Sequence, residues 1–122
     1  PNPAGSSPCP QPAPDRMPFI PVDALDADEK IPGYLGRFLH GETMTVTRWS
    51  VEAGAEFPEH AHPHEQISIV LDGEFALTID GETRVLRPGH IALIPSGAVH
   101  SGHAVTECEL LDVFSPVRED YR

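Results

Sequence analysis

The stretch HAHPHEQ, residues 60–66, places His60, His62, His64 and Gln66 at positions of one parity. On an extended backbone, residues two apart point to the same face. His60 and His62 can therefore present their imidazoles to one point, and Gln66 adds an amide oxygen from the start of the next strand. His100, forty residues beyond His60 on another predicted strand, closes the set. Nitrogen and oxygen donors without thiolates suit one borderline divalent ion such as Zn, Ni, Mn or Fe(II). A lone histidine in a strand more often packs or faces water, which is the reading for His40, His90 and His103. His64, between Pro63 and Glu65, either lines the mouth of a cavity or orients its neighbours.

Positioning four such side chains takes rigid elements, and from residue 43 onward the chain supplies short apolar runs separated by turn signals. No window keeps helical periodicity for ten residues, which is the pattern of an all-β domain. Strands are expected at 44–51, 66–71, 74–79, 82–87, 91–94, 98–104 and 108–114, with earlier short ones near 18–22 and 34–40. Asp72-Gly73 and Asp80-Gly81 are turn pairs suited to two-residue hairpins, so a meander is expected around residues 74–79. Residues 23–33 have room for one helical turn, stopped by Pro32. Many short strands with turns at this spacing point to a sandwich or closed barrel.

A chain of 122 residues fits one domain. Residues 1–16, PNPAGSSPCPQPAPDR, are rich in proline and hold no apolar side chain larger than alanine except Cys9, so a disordered tail is expected there and a single folded domain over 17–122. The net charge of −11, with only eight lysines and arginines, argues against a nucleic-acid partner. There is no apolar run of membrane-spanning length, which argues against a membrane partner. The start of the chain lacks the pattern of a signal peptide, which places the protein in the cytoplasm. Cys9 and Cys108 make neither a disulfide framework nor a thiolate metal site, and Cys108 reads as a small buried hydrophobe.

The frame around the histidines carries a family resemblance. Gly54, five residues, His60-x-His62, three residues, Gln66, six residues and Gly73 match one cupin motif, and Gly89, five residues, Pro95-x-Gly97, two residues and His100 match the other. Leaving out Gln66, the other eight fixed residues at a background near 7% coincide by chance about once in 10⁹ starting positions. The chain thus resembles the cupin superfamily, which implies a double-stranded β-helix, the jelly-roll barrel. Two positions depart from the usual pattern: Gln66 stands where glutamate is common, and Ala104 where asparagine often follows the last histidine. An amide in place of a carboxylate leaves a bound metal one unit more positive, which favours polarising oxygen atoms of an anionic ligand over activating dioxygen.

Alternation along residues 110–114 sets Leu110, Asp112 and Phe114 on one face and Leu111 and Val113 on the other. A carboxylate on that apolar face is either solvated at an edge or at work inside the barrel. DVFSPVREDY, residues 112–121, together with HAHPHEQ, is similar to the small pectin-degradation cupins of the KdgF-like family. That resemblance implies an isomerase or tautomerase opening 4,5-unsaturated uronate sugars to linear keto sugars. It also implies a metal held by His60, His62, Gln66 and His100, with Asp112, Phe114 and Arg118 serving the anionic substrate. In that role Asp112 moves the proton, Phe114 packs on the ring and Arg118 holds the carboxylate by a bidentate contact. Arg118 has an ordinary alternative, a surface ion pair with Glu119 or Asp120. Rival functions are a metal-dependent cupin dioxygenase and a non-catalytic small-molecule-binding cupin. The outward set Ile67, Ile69 and Leu71 is apolar enough to want a cover, and a homodimer is expected.

Overall fold

The computed structural model describes residues 19–122. The proline-rich stretch 1–16 lies outside them. Ten strands run in chain order: β1 (Ala27–Ile31), β2 (Tyr34–His40), β3 (Thr45–Val51), β4 (Glu56–His60), β5 (Glu65–Asp72), β6 (Phe75–Ile79), β7 (Glu82–Leu86), β8 (Ile91–Ile94), β9 (His100–Ala104) and β10 (Cys108–Ser115). Two sheets, both antiparallel, face each other. One has the order β1-β2-β3-β10-β5-β8 and the other β4-β9-β6-β7. This is the expected all-β jelly roll.

Period-two burial makes the sandwich. Thr45, Thr47, Trp49 and Val51 of β3 point inward while their neighbours do not, and Cys108, Leu110, Asp112 and Phe114 of β10 do the same. Most of the inward apolar side chains form a single cluster between the sheets, with Tyr34, Trp49, Val70, Phe75 and Leu77 among them. Burying a Val, Leu, Ile or Phe side chain is worth about 1.5–3 kcal/mol, so this cluster is the main term that offsets chain ordering. Cys108 is buried in it, as its composition suggested.

Three local expectations are corrected. Residues 19–21 form no strand and Val22–Ala24 make one 3-10 turn; the strand lies later, at β1, which ends at Ile31 just before Pro32. β4 escaped notice because Pro58 sits inside it. Proline is tolerated there because β4 is an edge strand whose register with β9 shifts between Phe57 and His60. The two Asp-Gly pairs also differ. Asp80 and Gly81 both have positive φ and close the β6–β7 hairpin. At Asp72-Gly73 only the glycine does, and the chain passes there from one sheet to the other instead of turning back. A Cβ on Gly73 would collide with the Glu107 carbonyl, so the crossing needs glycine.

On the outer face of the larger sheet, Ile67 and Leu71 are exposed. Ile91 and Leu93 on the adjoining edge strand β8 are 66% and 57% exposed. No helix among the described residues is long and apolar enough to cross a membrane.

Candidate metal centre

His60 ends β4 and His100 begins β9, and the two are register partners across that pair. His62 follows in the loop leading to β5, where its carbonyl accepts the Gly97 amide at 2.9 Å. The ring centroids stand 4.1 Å apart for His60 and His100 and 4.8 Å for His62 and His100. The ligand atoms of these three histidines all lie within 4.8 Å of one another, so together they can hold a metal ion.

The backbone fixes which nitrogens face that point. Nδ1 of His60 is 2.9 Å from the Pro58 carbonyl, Nδ1 of His100 is 2.9 Å from the Ala98 carbonyl, and Nδ1 of His62 is 3.0 Å from the His64 carbonyl. A carbonyl only accepts, so each Nδ1 carries the proton and donates, leaving Nε2 as a bare lone pair. Burial pushes all three imidazoles below their ordinary pKa, against the opposing carbonyl hydrogen bonds, and His100 falls to about 4. Neutral imidazole is the form that binds metal.

Two features test whether a cation fits. His100 Nε2 is buried with no hydrogen-bond partner among the described residues. His62 Nε2 lies 3.1 Å from Gln66 Oε1, so two lone pairs face each other. Turning the amide over relieves that contact but sets its oxygen against Asp112 Oδ2, to which Gln66 Nε2–H now donates at 3.1 Å. A cation placed among these atoms removes both faults, and the donor set fits a divalent ion.

The remaining predicted residues meet in the same cleft, which encloses about 530 Å³ with its open mouth included and is lined by His60, Gln66, His100, Asp112, Phe114 and Arg118 among others. Asp112 is inward and buried, not at a solvated edge. Its Oδ2 accepts from Trp49 Nε1–H and Gln66 Nε2–H at 3.1 Å each, while Oδ1 is buried without a partner among the described residues. Burial raises its pKa to about 6, against the hydrogen bonds from Trp49 and Gln66, the nearby Ser68 hydroxyl and the charge of Arg118. Arg118 is only 6% exposed. Its bidentate face is turned onto Asp120, with Nε at 3.0 Å and Nη2 at 2.7 Å, so the ion-pair alternative is present. Nη1, however, is buried and has no partner among the described residues. The guanidinium also stacks 4.0 Å from the Tyr121 ring centroid and 4.7 Å from that of Phe114.

The other histidines separate as their contexts suggest. His64 is outside the triad; it gives its carbonyl to His62, and its Nε2 lies 3.2 Å from the Val117 carbonyl. His40 pairs with Thr45, His90 accepts the Arg87 amide, and exposed His103 approaches Glu56. Trp49 and Tyr121 line the cleft but were not singled out from the sequence. Strand parity in β3 was the available signal for Trp49; nothing in the sequence pattern pointed to Tyr121, which sits in a short turn beyond the last strand.

The cupin domain family matches residues 47–114, and the chain belongs to that family. The structure of KdgF from a Halomonas species superimposes with a TM-score of 0.82 at 27% identity, covering 88% of this chain and 100% of that one. The pectin degradation protein KdgF of Dickeya dadantii is 36% identical over 70 residues, 56% of this chain and 64% of that protein. Quercetin 2,3-dioxygenase of Bacillus subtilis is 43% identical over 63 residues, 50% of this chain and 18% of that enzyme. The chain thus spans less than two thirds of the length of both these curated relatives.

Proposed function

We propose that this cupin is a metal-dependent isomerase that opens 4,5-unsaturated uronate monosaccharides to linear keto sugars in the cytoplasm. The observation that carries the reading is the company kept in one cleft. Two histidines of the triad, His60 and His100, border it together with Asp112, a buried carboxylate with a free oxygen (Oδ1), and Arg118, a buried guanidinium with a free nitrogen (Nη1). His60, His62, Gln66 and His100 hold one divalent ion, Zn, Ni, Mn or Fe(II), which supplies positive charge to polarise substrate oxygen atoms.

The protein's own groups then divide the work. Arg118 Nη1 donates to the uronate carboxylate while Asp120 keeps the guanidinium in place. Phe114 packs on the sugar ring. Ring opening breaks the C1–O5 bond of the hemiacetal, the C1 hydroxyl proton passes to O5, and an aldehyde at C1 and an enol at C5 remain. The enol hydroxyl gives up its proton and C4 gains one, with no net change in atoms or oxidation state. Asp112, close to neutrality in its pKa, accepts and returns that proton.

The test is the conjugated-alkene absorbance of unsaturated galacturonate incubated with the metal-loaded protein. Absorbance decays under this proposal and Asp112→Asn slows the decay at least a hundredfold; unchanged absorbance refutes it. The 43% identity to the dioxygenase favours a second reading, oxidation of a diketone or aromatic, which oxygen uptake with Fe(II) separates because the isomerase consumes none. A non-catalytic binding role requires both assays to be silent while the sugar still binds. The exposed apolar set Ile67, Leu71, Ile91 and Leu93 supports a homodimer through the outer face of the larger sheet.

A further inference from the structure

We propose that Trp49 is the positioning residue for Asp112: its indole N–H fixes which carboxylate oxygen faces the reacting sugar. The inference rests on the isomerase reading for its kinetic arm alone. Trp49 lies opposite Leu110 and Asp112 opposite Thr47 in the β3–β10 ladder, so the indole and the carboxylate are diagonal neighbours on the inward face. A diagonal gap of roughly 7–8 Å between backbones is one a long aromatic side chain spans. The resulting bond, Trp49 Nε1–H to Asp112 Oδ2 at 3.1 Å, joins residues 63 apart in sequence.

The ring that makes this bond has little freedom to turn. Tyr34, Phe38, Phe57 and Tyr121 meet it edge-on, with centroids 5.5–6.3 Å away and interplanar angles of 76–88°. Across the ladder the neighbouring strand offers Gly36, where a Cβ would come within 2.7 Å of Trp49 Cζ3. A residue with a side chain there would push the indole off its seat. The donor is therefore held in place before any substrate arrives, and no reorganisation is needed when charge moves on the carboxylate.

The consequence falls on Oδ1. The outer torsion of an aspartate is broad and nearly two-fold, so an untethered carboxylate exchanges its oxygens freely. Here Trp49 and Gln66 both donate to Oδ2, which commits that oxygen to the protein and leaves the buried, unpartnered Oδ1 for the ligand. Trp49 touches none of the three histidines through a hydrogen bond, so removing its N–H alters the carboxylate without altering metal capture.

Trp49→Phe keeps an aromatic ring and deletes the donor. In the metal-loaded full chain we expect kcat on unsaturated galacturonate to fall roughly 10- to 100-fold, as for a misplaced reacting group. KM stays within about twofold and the metal content is unchanged. Wild-type kcat, or a loss confined to KM, overturns the proposal. A second arm needs no turnover. The chain has one tryptophan, so ¹⁵N-labelled protein gives one indole N–H resonance. That resonance should exchange slowly with solvent, and Asp112→Ala should shift it and speed its exchange at least tenfold. An indole signal indifferent to Asp112→Ala overturns the positioning role whatever the kinetics show. Should the sugar not react at all, the isomerase reading fails and this second arm alone decides. It also decides if Trp49→Phe does not fold.

Discussion

Replacing Gln66 by glutamate sets a second carboxylate where an amide N–H now donates to Asp112 Oδ2 at 3.1 Å. The change removes one hydrogen bond to a charged acceptor, worth about 1.5–3 kcal/mol, and adds one negative charge about 4 Å from that of Asp112. At an effective dielectric near 20 that repulsion is about 4 kcal/mol, enough to change a proton's affinity about a thousandfold. Asp112 already titrates near 6 because it is buried. The pair in Gln66→Glu therefore binds one shared proton through neutral pH. A folded pKa raised above the unfolded one adds stability at low pH that is lost as pH rises through the folded value. With a chelator present to keep the site metal-free, the variant should lose about 3 kcal/mol relative to wild type at pH 8. That corresponds to a melting temperature lower by on the order of 10–20 °C for a domain of this size. At pH 5 the shared proton restores an O–H donor between the two groups, and the gap should shrink below about 1 kcal/mol. Thermal melts of both proteins at the two pH values decide the matter. An equal gap at pH 5 and pH 8 refutes the reasoning, because it means the residue 66 side chain does not face the Asp112 carboxylate.

His100→Ala removes the most buried of the three imidazoles, so metal analysis should find less than about a tenth of an equivalent bound, and the thermal stabilisation that divalent ions give the wild type should vanish. In the metal-free protein, the burial that lowers His100 to about 4 withdraws stability as pH falls below 6.5, while the burial that raises Asp112 to about 6 returns it between pH 6 and 3.8. Asp112→Asn deletes only the second effect, so between pH 7 and pH 4 the variant should lose about 3 kcal/mol relative to wild type in denaturant titrations. Leu93→Glu charges the exposed apolar face and should convert the proposed dimer into a monomer by light scattering, with the melting temperature nearly unchanged.

Much of this was legible because β structure encodes direction with a period of two. Parity put Asp112 and Phe114 on one face of β10. His60, His62 and Gln66 share parity but not a strand: His60 ends β4, His62 lies in the loop after it and Gln66 is in β5 of the other sheet, so the crossing between sheets, with the β4–β9 pairing that sets His100 beside His60, gathers them. What parity does not encode is where the chain leaves one sheet for another. Asp72-Gly73 and Asp80-Gly81 are the same dipeptide type, yet one crosses between sheets and one closes a hairpin. The difference lies in the Glu107 carbonyl packed against Gly73, a contact 34 residues away in sequence. β4 was hidden because Pro58 speaks against a strand unless the strand is known to be at an edge. The orientation of Arg118 was equally out of reach. Whether its fork goes to Asp120 or to a ligand depends on the turn at Glu119–Tyr121, which no hydrophobic pattern announces.

The carbonyls of Pro58, Ala98 and His64 have an effect that reaches past geometry. Because each imidazole already keeps its single hydrogen on the main chain, a cation arriving at neutral pH displaces no acid into solution. Heats of metal uptake should then be the same in buffers of very different ionisation enthalpy, and affinity should be flat from pH 7 to pH 9, weakening only in mild acid. A centre of this design charges itself without disturbing the pH of its surroundings, and competition from protons sets in only in acid.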